Sequence, residues 1–172
     1  MSTLEVKELS HPAGEVIKIA SGKTLDLKSQ GNVIMPTGSV LQVLIANDSV
    51  VLTTSSASYI DVGLSLTITP KSTSSKILCL WNAHGFLSAA GAGFGSSLVR
   101  GSTTVFATAT DYYIYGGSAL SQRQTGEFKH LDSPNTASAV TYKVQVKPHN
   151  TTQVQFNGNG LESQLVLMEI QG

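Results

Sequence analysis

The chain is short of charge, of cysteine and of long apolar runs, and each shortage excludes something. Charged residues make up 13% of the 172, about half the usual share. Eleven Lys and Arg balance eleven Asp and Glu, and no segment is strongly basic. The cationic footprint that phosphate backbones require is missing, so no nucleic-acid partner is expected. A single cysteine, Cys79, leaves neither an intramolecular disulfide nor a cysteine-based metal cage. No stretch reaches the roughly 18 apolar residues of a spanning helix, so no membrane insertion is expected. The opening "MSTLEVKELSHPAGE" lacks the apolar core of a signal peptide, which points to synthesis and assembly in a cytoplasm.

Signatures of chemistry are equally sparse. His11, His84, His130 and His149 stand alone, with no His-x-His, His-Glu-x-x-His or acidic calcium-loop spacing. The carboxylates are scattered as singles. "AAGAGFGSS" places Gly91, Gly93 and Gly95 in alternation, but the dinucleotide-binding turn needs a helix to follow, and "SLVRGST" reads as a hairpin. A flexible or tightly packed loop is the expectation there. Cys79 lies inside the apolar run "KILCLW", where a thiol behaves as a small hydrophobe. No catalytic residue, metal or cofactor is assigned, and the chain is not expected to be an enzyme.

What is present is β-structure. Apolar residues reach 41%, too many for a disordered chain without net charge. Ser, Thr, Gly and Asn supply a hydroxylated surface in place of a charged one. Ile17, Leu25, Val33 and Leu41 are eight apart, as are Ile19, Leu27, Met35 and Val43. Within each unit the i and i+2 residues share one face of a short strand, and "ASGK", "KSQGN" and "PTGS" supply turns. A single copy cannot cover that apolar row, whereas three copies around an axis can, giving a slender shaft in which these eight residues drive trimerisation. The alternative is an ordinary meander packed on the rest of the molecule.

Beyond Val43 the pattern changes. "YIDVGLSLTITP" alternates, with Ile60, Val62, Leu64, Leu66 and Ile68 on one face. "KILCLW" is continuously apolar, as for a central strand covered on both faces. "LVRGSTTVF" reads as a hairpin bending at Gly101-Ser102, and "AVTYKVQVKP" turns Val140, Tyr142, Val144 and Val146 inward. "QVQF", "NGNG" and "QLVLMEI" complete roughly eight short strands without helical periodicity. The fold class is therefore all-β: a short trimeric β-repeat shaft followed by a jelly-roll-like antiparallel β-sandwich.

"DYYIYGGS" offers recognition chemistry, because tyrosine supplies flat, amphipathic contact area for sugars or proteins. Alternation places Tyr113 and Tyr115 on one face and Tyr112 on the other. Sheet faces or subunit contacts would use the same residues. Arg123, beside a turn, joins Tyr112, Tyr113 and Tyr115 as a candidate receptor-binding residue.

"SYIDVGLSLTITPKSTSSKILCL", followed by "LVRGSTTVF" and preceded by "MPTGSVLQV", resembles a module of tailed-bacteriophage tail-fibre proteins, particularly from phages of marine and aquatic bacteria. "IASGKTLDL" is similar to the repeat found just before such modules. The resemblance spans most of residues 15–172 and is specific over 35–106; the stretch from 107 to 138 matches no motif. It implies a virion protein, a homotrimeric fibre whose terminal knob contacts a host-surface glycan or protein. On this basis residues 1–14 form a docking peptide for other virion proteins, 15–43 the shaft and 44–172 the knob. The competing expectation is a capsid-decoration, head-fibre or tail-assembly protein that binds no receptor.

Overall fold

The computed structural model describes residues 21–23, 35–118 and 121–172. The chain divides into two units, Met1–Ile34 and Met35–Gly172. In the first, residues 21–23 form a turn with Gly22 at φ 75°, where the "ASGK" reading places one. The proposed shaft residues Ile17, Ile19, Leu25, Leu27 and Val33 lie outside the described residues.

The second unit is built from β1 (Val40–Asp48), β2 (Leu52–Thr54), β3 (Ile60–Ile68), β4 (Lys76–Leu87), β5 (Ala92–Arg100), β6 (Thr103–Ala107), β7 (Ile114–Gly116), β8 (Gln122–Asp132), β9 (Val140–Pro148), β10 (Val154–Phe156) and β11 (Ser163–Ile170). Sheet A runs β1-β11-β4, with β8 on the other side of β4 and the short β10 and β2 extending it; sheet B runs β3-β9-β5-β6, with β7 also on β5. All pairings are antiparallel. Numbering only the eight strands of five or more residues, the sheets are ordered 1-8-3-6 and 2-7-4-5. That is the order of a jelly roll, in which successive strands cross repeatedly between two sheets. β1 starts at Val40, so Val40–Val43, with Leu41 and Val43 among them, belong to a strand of the sandwich.

Alternation dictates the core. Val62, Leu64 and Ile68 of β3 meet Ile77, Cys79 and Trp81 of β4, and Tyr142, Val144 and Val146 of β9 complete the contact. Polar links tie the layers together. The Trp81 Nε1–H donates to Ser96 Oγ at 2.9 Å, and that hydroxyl donates to the Gln145 carbonyl at 3.0 Å. Asp132 on β8 accepts from Arg100 Nη1 and from the Tyr142 hydroxyl, both at 2.6 Å. Burial, and then the nearby charge of Asp132, pushes the Cys79 thiol up to about 12, so it stays protonated at neutral pH.

Glu169 is a buried carboxylate at one end of β11. It accepts from the Lys71 backbone N–H at 2.6 Å and from Gln42 Nε2 at 2.5 Å. Burial alone would raise its pKa. The neighbouring Ser75 hydroxyl, Gln42 and the Lys71 N–H together outweigh that and hold it below the ordinary 4.5. A carboxyl depressed in the folded state stabilises above its unfolded pKa, and that contribution fades as pH falls through the folded value. Glu169→Gln is therefore expected to cost about 1–3 kcal/mol at pH 7. Urea unfolding should show the gap to the wild type narrowing as pH drops below 4.5.

The outer face of sheet A departs from expectation. β4 continues to Leu87, and Ile77, Cys79 and Trp81 face inward, but Leu78 and Leu80 point out and are half-buried. Among the described residues the strand is covered on one face and not on both, because they supply no third layer. Register aligns two apolar rows there, Val43–Met168–Leu78–Leu131 and Ile45–Val166–Leu80. The next row, Asn47–Gln164 on β1 and β11 and Asn82–Glu127 on β4 and β8, is polar. It is linked by Gln164 Nε2 to Asn47 Oδ1 at 3.1 Å and Gln164 N to Asn82 Oδ1 at 2.7 Å.

Candidate attachment site

The outer face of sheet B carries a different surface. β5 is "AGFGSSLVR", and Phe94, Ser96 and Leu98 point inward. The sequence suggests a glycine loop here; the structure makes it a strand instead, with Gly93 and Gly95 on the outer side. A Cβ at Gly95 would press on Thr108 Oγ1 and lie 2.8 Å from the Thr110 carbonyl oxygen; one at Gly93 would lie 2.6 Å from the Ile114 carbonyl oxygen. The missing side chains let the segment after β6 lie directly on β5. Alternating glycine thus serves close packing of the overlying loop.

That segment delivers Asp111 to β9 and the loop after it. Asp111 Oδ1 lies 2.7 Å from His149 Nδ1, and Lys147 Nζ lies 3.2 Å from Oδ2. A carboxylate only accepts, so Nδ1 carries the proton. On its other side the ring places Nε2 2.9 Å from the Asn150 side-chain amide nitrogen. The His149 bond, and more weakly Lys147, hold the Asp111 pKa below its ordinary 3.8 despite partial burial. Asn150 and Thr151 both have positive φ, 48° and 56°, a costly state for a β-branched residue.

Two tyrosines lean on this post. The Tyr112 ring centroid is 5.0 Å from that of His149, and the Tyr115 centroid is 5.8 Å away, both edge-on. Tyr112 and Tyr115 are themselves 6.2 Å apart at 71°. They remain 50% and 48% exposed, whereas the His149 side chain is 18% exposed. The result is a fixed aromatic corner with hydroxyl, amide and ammonium groups around it, able to stack on the apolar face of a sugar ring and bond its hydroxyls.

Strict alternation does not hold for the tyrosines. Only Ile114–Gly116 is strand, and the turn at 111–113 rotates Tyr112 to the side of Tyr115. Tyr113, 59% exposed, turns away and packs 5.5 Å from Phe128. There it borders a depression of about 610 Å³ that also reaches Leu80, Lys129 and Val166. Arg123 sits on the outer face of sheet A, 4.8 Å over the Phe86 ring, and donates to the Gly158 carbonyl at 3.2 Å. Two of the four candidate receptor residues are therefore brought together. His149 joins them unforeseen, because only the β5–β9 register, which sets Phe94 against Pro148, brings it across 38 residues.

Gly95→Ala tests the packing. The loop cannot keep its place, so a cost of about 1–3 kcal/mol is expected, with the aromatic corner displaced. Thermal melts and the tyrosine–His149 cross-peaks of an NMR spectrum would report the two effects separately.

Fold and surface together define an eight-strand jelly-roll sandwich with an aromatic corner on one face. No protein-family model matches the chain, and no curated protein sequence matches it. Among solved structures, VP2 of infectious bursal disease virus in its subviral particle is similar at a TM-score of 0.48 and 13% identity, over 87% of this chain and 37% of that one. The structure of the Gx strain of infectious bursal disease virus gives 0.44 and 10% over 86% and 42%. Dimeric latent PorU from Porphyromonas gingivalis gives 0.35 and 10% over 80% and 14%. The chain thus spans well under half the length of these chains.

Proposed function

We propose that this chain is a virion structural protein, the knob-bearing part of a homotrimeric bacteriophage fibre that attaches the particle to its host surface. The observation that carries this reading is the exposed aromatic corner of Tyr112 and Tyr115, fixed by His149 and Asp111 on a rigid sheet. The tail-fibre resemblance of residues 35–106 supports the virion assignment independently of that corner. A host glycan fits the corner's stacking and hydrogen-bonding groups. Several weak contacts per particle then add up to lasting attachment. In this reading the protein binds without catalysis or cofactor, docks on other virion proteins through residues 1–14, and is assembled in the host cytoplasm. Antibody-gold labelling of intact virions tests it. Gold at fibre tips is expected; gold confined to capsids would make the chain a head-decoration protein and overturn the attachment role.

A further inference from the structure

We propose that Asn159 is a site of spontaneous deamidation, a slow and irreversible gain of negative charge on one exposed loop, whatever the sandwich binds. Asn157 and Asn159 are the only asparagines followed by glycine, in the run "NGNG" between β10 and β11. A following glycine has no side chain to shield its backbone nitrogen, which can attack the asparagine amide before it. In that step the Gly160 nitrogen bonds to the Asn159 Cγ and gives up its proton. The Cγ–Nδ2 bond breaks, and ammonia leaves. Water then opens the cyclic imide at either carbonyl, giving aspartate or isoaspartate. Both products carry a new carboxylate, and isoaspartate also routes the main chain through the side-chain carbon.

The fold separates two residues that look alike in sequence. Both lie in the left-handed region, Asn157 at φ 54°, ψ 21° and Asn159 at φ 62°, ψ 38°. At such angles the next backbone nitrogen points away from Cβ, so the chain must turn about the Cα–C bond before the imide ring can close. Asn157 is held against that turn. It is 1% exposed. Its Nδ2 donates to the Asp48 carbonyl and to Asp48 Oδ2, both at 3.1 Å, and its Oδ1 accepts from the Ser163 hydroxyl at 2.6 Å. Its backbone N–H donates to the His84 carbonyl at 3.1 Å. Gly158 beyond it is buried, and its carbonyl accepts from Arg123. Rotation there would leave several buried polar groups unpaired. Asn159 and Gly160 are both exposed, and among the described residues no side-chain hydrogen bond holds Asn159. A Cβ on Gly160 would meet nothing within 4 Å. The turn denied to Asn157 is therefore open to Asn159.

The test is incubation of the full chain at mildly alkaline pH, folded in buffer and unfolded in urea, with fragment-ion mass spectrometry to assign the conversion of each asparagine. In the folded protein Asn159 is expected to convert about tenfold or more faster than Asn157, whose reaction must wait for the loop to open. In urea the two should convert at similar rates, because the hydrogen bonds that distinguish them are gone. Asn159→Gly keeps a residue suited to the left-handed backbone and removes the reacting amide. It is expected to abolish the acidic product of the folded protein on ion exchange. Equal rates in the folded state, or a faster Asn157, would overturn the assignment. So would an Asn159 that reacts in urea but stays intact in the folded protein for as long as Asn157 does. Acidic product that persists in Asn159→Gly would place the reaction elsewhere and overturn it too.

Discussion

Trp81→Ala is expected to destabilise the sandwich by about 3–5 kcal/mol. The indole is almost fully buried, stacked on Phe128 at 5.5 Å and edge-on to Phe106 at 5.4 Å. Truncation opens a cavity between the sheets that rigid strands cannot close. It also removes the donor to Ser96, the side chain that carries the link onward to the Gln145 carbonyl of β9. Folded domains hold a margin of about 5–15 kcal/mol, so this one change consumes a large part of it. Differential scanning calorimetry should show the melting temperature falling by about 10–15 °C. Trp81→Phe separates the two causes. It keeps most of the apolar volume and loses the hydrogen bond, so about 1–2 kcal/mol is expected. Equal losses for both substitutions would mean that the polar link, not the ring packing, joins the sheets at this point.

The second large effect falls on binding and leaves stability alone. Tyr112→Ala/Tyr115→Ala removes two half-exposed rings, while His149 stays anchored by Asp111 and Asn150. Each ring stacked on a ligand contributes about 1–2 kcal/mol, so one site weakens roughly 30- to 1,000-fold. Attachment through several sites at once amplifies the loss, because each rebinding step weakens in turn. Labelled protein should cease to bind host cells at concentrations that saturate with the wild type. Tyr113→Ala is the internal control: that ring faces Phe128, away from the corner, and its loss should leave cell binding within about twofold.

The parts of this fold that alternate cleanly were legible from sequence. Ile60 to Ile68 and Val140 to Val146 become β3 and β9, with the expected residues inward. β8 was invisible because three of its inward positions are Gln122, Gln124 and Gly126, which carry no apolar signal. The end of β5 pairs with β6 as the "LVRGSTTVF" hairpin expects, whereas its first half hides behind glycines whose packing role appears only when the loop above them is placed. In "KILCLW" the unbroken apolar run from Ile77 to Trp81 suggests burial on both faces, whereas among the described residues Leu78 and Leu80 are only half-buried on the outer one. The site was half legible. Tyr112 and Tyr115 announced themselves as aromatic residues beside a turn-rich stretch. Nothing local connects them to His149, because the antiparallel pairing of β5 with β9 is a long-range fact of topology.

The most direct test of attachment is competition: the adsorption rate of intact phage to host cells is measured with increasing amounts of soluble protein. The wild-type protein is expected to occupy the receptors and slow adsorption in a saturable manner, and the Tyr112→Ala/Tyr115→Ala protein to leave the rate unchanged. Adsorption unaffected by wild-type protein, at concentrations where it remains folded and oligomeric, would contradict the assignment of this chain to host attachment.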